Sequence, residues 1–160
     1  MINSIKQAEK VLALANENVL VVFDIDRTLL KEKGGADATF SSGFEPVEND
    51  TIEVIKMLQE RGVPVIALTA STVAQSRAED LSQVGIDLRS MFVPARYVFK
   101  PLPENPRFHP TLYHGVLCSG RCSKGAVLDL FITHCCRVRV NRVVFFDDNS
   151  KNCCDVWDKM

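Results

Sequence analysis

Asp24 and Asp26 follow directly on Val19-Leu20-Val21-Val22-Phe23, an unbroken run of apolar, β-favouring residues. Such a run reads as a strand buried on both faces, as in the middle of a parallel sheet. The i, i+2 spacing sends both carboxylates the same way from an extended backbone. Desolvating two unpaired carboxylates is costly, and a cation is the simplest way to offset that cost. The pair therefore predicts a metal and reaction centre at the strand's carboxyl end. Three further positions stand in comparable places: Thr69 after the apolar run 63–68, Asp147 with Asp148 after 142–146, and Lys124 just past Ser123 at a helix start. The acids favour a hard, oxygen-seeking ion such as Mg²⁺, which suits phosphates. One carboxylate can attack phosphorus. A second can protonate the leaving oxygen and later activate water. A hydroxyl and an ammonium can hold the phosphoryl oxygens as charge builds, and a helix N-terminus at Lys124 favours the same anion.

Those residues must be positioned by the elements around them. Residues 4–16 read as a helix, opened by a Ser4/Gln7 capping box, with Ala8, Val11, Leu12 and Ala15 on one face. The segment 31–50, rich in Gly, Ser, Lys and Glu, reads as a loop or small flap, too short for a cap domain. Asp50 and Glu53 form a second capping box, for a helix that Gly62 stops. The strand 63–68 is followed by a helix from Ser71 or Thr72 to Val84, with Val73, Arg77, Leu81 and Val84 at helical spacing. Residues 92–118 read as an irregular insertion, with short strands at 91–93 and 96–99, a proline-rich loop to Pro110, and a third core strand over 112–118. Ser123 caps a helix over 124–134, with Ala126 or Val127, Leu130 and Phe131 inward. The run 142–146 is the fourth core strand, and a last helix starts near Asn149. Alternating strands and helices predict one α/β domain over residues 1–160, a parallel sheet with helices on both faces. Right-handed crossovers bring the strand ends carrying Asp24, Thr69 and Asp147 to one edge.

With these residues in view, Asp24-Ile25-Asp26-Arg27-Thr28 resembles the first motif of the haloacid dehalogenase-like (HAD) superfamily, Asp-x-Asp-x-Thr. Leu68-Thr69 resembles the second motif, Lys124 the third and Asp147-Asp148 the fourth, and the likeness spans residues 19–152. The segments Leu68-Thr69-Ala70, Gln83-Val84-Gly85-Ile86-Asp87 and 147–152 are also similar to an uncharacterised bacterial family of that superfamily. The resemblance implies a three-layer Rossmannoid fold with a minimal cap. It implies a Mg²⁺-dependent phosphatase acting through an aspartyl-phosphate, on a phosphoprotein or a small phosphate ester. Asp24 is then the nucleophile and a metal ligand. Asp26 is the general acid/base, and its backbone carbonyl also binds the metal. Thr69 and Lys124 hold the phosphoryl group, and Asp147, with Asp148 directly or through water, binds the metal. Aspartate at position 26 favours phosphatase or phosphotransferase chemistry over dehalogenation. Three features depart from the pattern. Arg27 stands where Gly or Asn is frequent; Lys100-Pro101 imitates a common lysine motif but precedes a proline-rich loop; and no fifth core strand is expected after Asp147.

Composition sets the remaining bounds. A formal charge of −1 without a basic run argues against nucleic acid as a partner. No apolar run approaches a membrane span, and no charged and apolar leader opens the chain, so a cytoplasmic location is expected. Six cysteines, four of them in adjacent pairs, make a poor disulfide framework and read as reduced thiols rather than a zinc site. Cys136 and Arg142 match the Cys-x5-Arg spacing of cysteine-dependent phosphatases, but the bulky residues between them cannot wrap a phosphate. The rival from another class is a non-catalytic HAD-like domain whose open sheet edge a partner covers. Phe40, Phe44, Tyr97 and Phe99 are candidates for the entrance of an open site.

Overall fold

The computed structural model of the chain describes Ile5, residues 8–33 and residues 43–160. Among these, six strands form the main sheet: β1 (Val19–Phe23), β4 (Val65–Thr69), β5 (Arg96–Val98), β6 (Thr111–Tyr113), β7 (Val116–Cys118) and β8 (Arg142–Phe146). Their order is β5-β6-β7-β4-β1-β8. β7, β4, β1 and β8 run parallel, and β5 and β6 extend the sheet antiparallel. The helices are α1 (Glu9–Leu12), α2 (Thr51–Glu60), α3 (Ala74–Gln83), α4 (Lys124–His134) and α5 (Ser150–Lys159). The fold is thus α/β, a mostly parallel sheet flanked by helices, compatible with a Rossmann-like three-layer arrangement.

Alternation along β1 explains the layers. Val21 and Phe23 point into a core shared with Leu12 of α1, Ile55 and Leu58 of α2 and Leu81 of α3. Leu20 and Val22 point into the opposite core, with Leu128 and Phe131 of α4 and Val156 of α5. The period of two in a buried strand distributes its side chains to both faces, so each face needs its own helices.

Several expectations are corrected by tertiary contacts. The first helix covers 9–12 rather than 4–16, while its Ser4/Gln7 box lies outside the described residues. Arg61 donates to the carbonyls of Leu12, Ala13 and Ala15 at 3.0, 2.8 and 2.6 Å, and this replaces continued helix hydrogen bonding. The Asp50 side chain makes no capping hydrogen bond to α2. α3 begins at Ala74, later than expected. Thr69 Oγ1 accepts from the Ser71 N–H and Ser71 Oγ from the Val73 N–H, turns that keep the chain out of the helix. Val73 is exposed, not inward.

The insertion 92–118 is more regular than its proline content suggests. Residues 91–93 form no strand, but β5 joins the sheet. The segment 112–118 is two strands, not one. His114 (φ 46°) and Gly115 (φ 80°) make a two-residue turn that pairs Leu112 with Leu117. A Cβ on Gly115 would meet the Leu88 carbonyl oxygen at 2.3 Å, so glycine is required there.

The flap segment contributes a separate antiparallel ribbon of β2 (Leu30–Glu32) and β3 (Phe44–Pro46), with 34–42 outside the described residues. Phe40 falls in that gap. β5, with Tyr97, lies four strands from β1, and Phe99, just past its end, is buried in the second core. Those two aromatics pack against each other at 4.7 Å and do not line an entrance at Asp24. β8 pairs only with β1 among the described residues, so it is a sheet edge. Among the described residues no helix is long and apolar enough to cross a membrane.

Candidate functional site

The connection after β1 leads to α2 on one face, while that after β8 leads to α5 on the other. The two strands are neighbours, so their carboxyl ends flank a crevice of the kind in which open α/β sheets bind ligands. Phe23 and Phe146 pair in register and their rings stack at 4.9 Å. The Asp24 N–H donates to the Phe146 carbonyl at 2.8 Å. Asp24 and Asp147 therefore leave the sheet side by side.

Lys124 stands between them. Its Nζ donates to Asp24 Oδ1 at 2.6 Å and to Asp147 Oδ2 at 2.7 Å, and its side chain is 6% exposed. The sequence places it there through the start of α4. Ser123 Oγ accepts from the Ala126 N–H, while Asp155 of α5 accepts from Ser123 Oγ and from the Gly125 N–H. α5 passes so close that a Cβ on Gly125 would meet the Asp155 carbonyl oxygen at 2.6 Å. The cap, the glycine and Asp155 together fix the helix start that carries the lysine.

The remaining contacts join the two loops. Thr28 Oγ1 donates to Asp24 Oδ2 at 3.2 Å and accepts from the Asp148 N–H at 3.1 Å. Asp147 accepts from the Asn149 N–H at 2.8 Å and from Asn152 Nδ2 at 2.9 Å. Arg27 has φ 63°, the left-handed region that glycine or asparagine enters more cheaply, and this turn aims Asp26 away from Asp24's partners. The Asp26 carboxylate is instead exposed and pairs with Arg77 of α3 at 2.6 Å.

Carboxylate oxygens of Asp24, Asp147 and Asp148 lie within 4.8 Å of one another. Three carboxylates face one ammonium, so the cluster has anionic charge to spare. An all-oxygen donor set of this kind fits a hard divalent cation. Asp26 adds no carboxylate oxygen to that cluster. Thr69 ends β4 beside β1, with Phe23 opposite Ala67, but it is fully buried. Its hydroxyl oxygen accepts from the Ser71 N–H at 3.2 Å.

Burial pushes the Asp24 carboxyl up from 3.8 to about 6, and the Lys124 ammonium opposes this only in part. For Lys124, burial pulls downward, but Asp24 and Asp147 outweigh it and keep the ammonium charged. The folded chain thus holds the Asp24 proton more tightly than the unfolded chain does. The contribution of this group to stability then falls as pH rises from about 4 to about 6 and is level above that. The shift corresponds to a loss of ~3 kcal/mol. In EDTA, urea denaturation at a series of pH values should show this loss in the wild type. Asp24→Asn should lack that component; equal pH dependence in both proteins would refute it.

The buried thiols are poor candidates for a nucleophile. Burial pushes Cys118 up to about 12 and Cys135 up to about 11, and it also raises Cys136. A nucleophilic cysteine needs the opposite shift. Arg142 opens β8 at the end far from Asp147, so Cys136 and Arg142 build no phosphate loop at this site.

Sequence reasoning missed four contributors. Thr28 lies within the first motif, but no role had been attached to it. Asn152 lies five residues past Asp147, a spacing that returns on the first turn of a helix. Asp155 lay on a helix with no visible link to Lys124. Arg77 offered a signal, because an arginine on the inward stripe of a helix requires an anionic partner.

The family model described as Protein of unknown function (DUF2608) matches residues 35–160, and the chain belongs to that family. Searches of curated proteins and of solved structures gave no match.

Proposed function

We propose that this member of the DUF2608 family is a Mg²⁺-dependent phosphatase of the HAD-like type, hydrolysing a phosphate monoester through an aspartyl-phosphate on Asp24. The observation that carries the reading is Lys124, a buried ammonium 2.6 Å from Asp24 and 2.7 Å from Asp147 at the carboxyl ends of adjacent parallel strands. A lysine so placed can follow the phosphoryl oxygens from ground state to transition state.

Asp24, Asp147 and Asp148 would hold the Mg²⁺, with the Asp26 backbone carbonyl. The ion would supply positive charge against that of the phosphoryl group. The chain's own residues do the rest. An Asp24 oxygen attacks phosphorus, the bond from phosphorus to the leaving alcohol breaks, and Asp26 gives that oxygen a proton. Water then attacks the same phosphorus, Asp26 takes its proton, the bond to Asp24 breaks, and inorganic phosphate departs. Thr28 holds Asp24 in line throughout, through its hydroxyl. The ribbon of β2 and β3 is small, and this favours an open site that admits a phosphoprotein as well as a small ester. Transfer of the phosphoryl group to another acceptor would use the same aspartate.

A second reading, a partner-binding domain without turnover, is favoured by the edge at β8. A groove of about 720 Å³ runs beside it, lined in part by Val143, Phe145 and Trp157, and Trp157 is 83% exposed. The two readings separate on one assay. A generic aryl phosphate should be hydrolysed with Mg²⁺ and at least about 100-fold more slowly in EDTA, with recovery on adding Mg²⁺ back. A folded protein that turns over no phosphate ester under either condition would overturn the phosphatase reading.

A further inference from the structure

Asp26 presents a contradiction that its partner resolves. Its side chain is 64% exposed, yet one of its oxygens is held at 2.6 Å by Arg77 Nη2, on a side chain only 11% exposed. An exposed ion pair between two free side chains is weak, because both must give up rotamer freedom. Arg77 has already given up its own. Nη1 donates to Asp80 Oδ2 at 3.1 Å, and the guanidinium carbon sits 5.3 Å from the centre of the Phe44 ring in β3. Only the short aspartate side chain is left to order. The Arg77 Nε is buried without a hydrogen-bond partner, which costs stability, so the arrangement is a poor source of fold stability.

We infer that Arg77 is the positioning residue for Asp26: anchored by Asp80 and by Phe44 of the ribbon, it sets where the Asp26 carboxylate stands over the leaving group. This rests on the phosphatase reading. Arg77 touches neither phosphorus nor the leaving oxygen; it acts through Asp26. Its loss therefore matters most where the leaving oxygen most needs a proton. Hydrolysis of an alkyl phosphate needs that proton, whereas p-nitrophenolate leaves without one.

The test is kcat and KM for an alkyl phosphate and for p-nitrophenyl phosphate, in wild type, Arg77→Ala, Arg77→Lys, Asp26→Asn and the Asp26→Asn/Arg77→Ala double variant. Arg77→Ala should lower kcat for the alkyl ester by about 10- to 100-fold, within the range of acid–base catalysis, with KM little changed. Its effect on the nitrophenyl ester should stay within about threefold, because proton donation contributes little there. Arg77→Lys should recover part of the loss. In the Asp26→Asn background, Arg77→Ala should cost nothing further, because the two residues act as one unit. Equal losses on both esters, or a full additional loss in the Asp26→Asn background, would overturn the inference while leaving the phosphatase reading standing. Absence of wild-type turnover on both esters would overturn the two together. If Arg77→Ala does not fold, Arg77→Gln carries the same comparison.

Discussion

Asp24→Asn should fold, and it should hydrolyse aryl phosphate at least about 10⁴-fold more slowly than the wild type, on the scale seen when a nucleophile is removed from a covalent mechanism. Asparagine keeps the size of the side chain: with its Oδ1 accepting from Lys124, its Nδ2 can donate to Thr28 Oγ1, so the turn after β1 keeps its shape. Lys124 retains Asp147 at 2.7 Å and is not left as an isolated buried charge. On the proposed mechanism, the variant loses the carboxylate oxygen that would form the bond to phosphorus, and no neighbour replaces it. Asp147 is 1% exposed at its side chain and already accepts from Lys124, Asn149 and Asn152. Asp26 is turned toward Arg77. The loss should fall on kcat and should be the same for good and poor leaving groups, which separates it from Asp26→Asn. A fully active, folded Asp24→Asn protein would remove the nucleophile and the reaction with it.

The parts of this site that could be read from the sequence were those signalled locally. β1, β4 and β8 are apolar runs ending at Asp24, Thr69 and Asp147, and α4 has a serine cap directly before Lys124. Each such signal lies within a few residues of the position it marks, so an element and the end that bears chemistry are found together. The hairpin of β6 and β7 was hidden because its residues form one nearly continuous apolar stretch. Its turn signal, His114-Gly115, is short, and it depends on Gly115 passing against Leu88. The early stop of α1 depends on Arg61, far along the chain. Arg77 and Asp26 are 51 residues apart, and only the folded sheet edge brings them together. Local patterns mark where charge is placed; what each charge meets is decided by crossovers that no local pattern encodes.

Lys124→Met should strongly damage the fold of the metal-free protein, at about 3–5 kcal/mol near pH 8, the usual cost of removing one partner from a buried ionic group. Methionine is unbranched and only one atom shorter than lysine, so it supplies a similar apolar stem and packing around the start of α4 is largely preserved. Its thioether cannot donate to Asp24 or Asp147, which now face each other across a site that burial has already made hostile to charge. The sign of the pH dependence follows. Removing the ammonium, which holds the Asp24 pKa down, lets it rise above about 6, so the variant takes up a proton where the wild type does not. The difference from wild type should therefore shrink toward pH 5 and grow toward pH 8. A divalent cation offers a second form of compensation. Millimolar Mg²⁺ should restore part of the stability by binding the folded chain alone, and it should do so more at pH 8 than at pH 5, where protons compete for Asp24. On the proposed reaction, activity should not return with it, because the ammonium that would hold the phosphoryl oxygens is still missing. Urea denaturation of both proteins at the two pH values, with Mg²⁺ and with EDTA, measures all of this at once. A variant as stable as wild type in EDTA at pH 8 would mean that Lys124 does not compensate the two carboxylates it bridges.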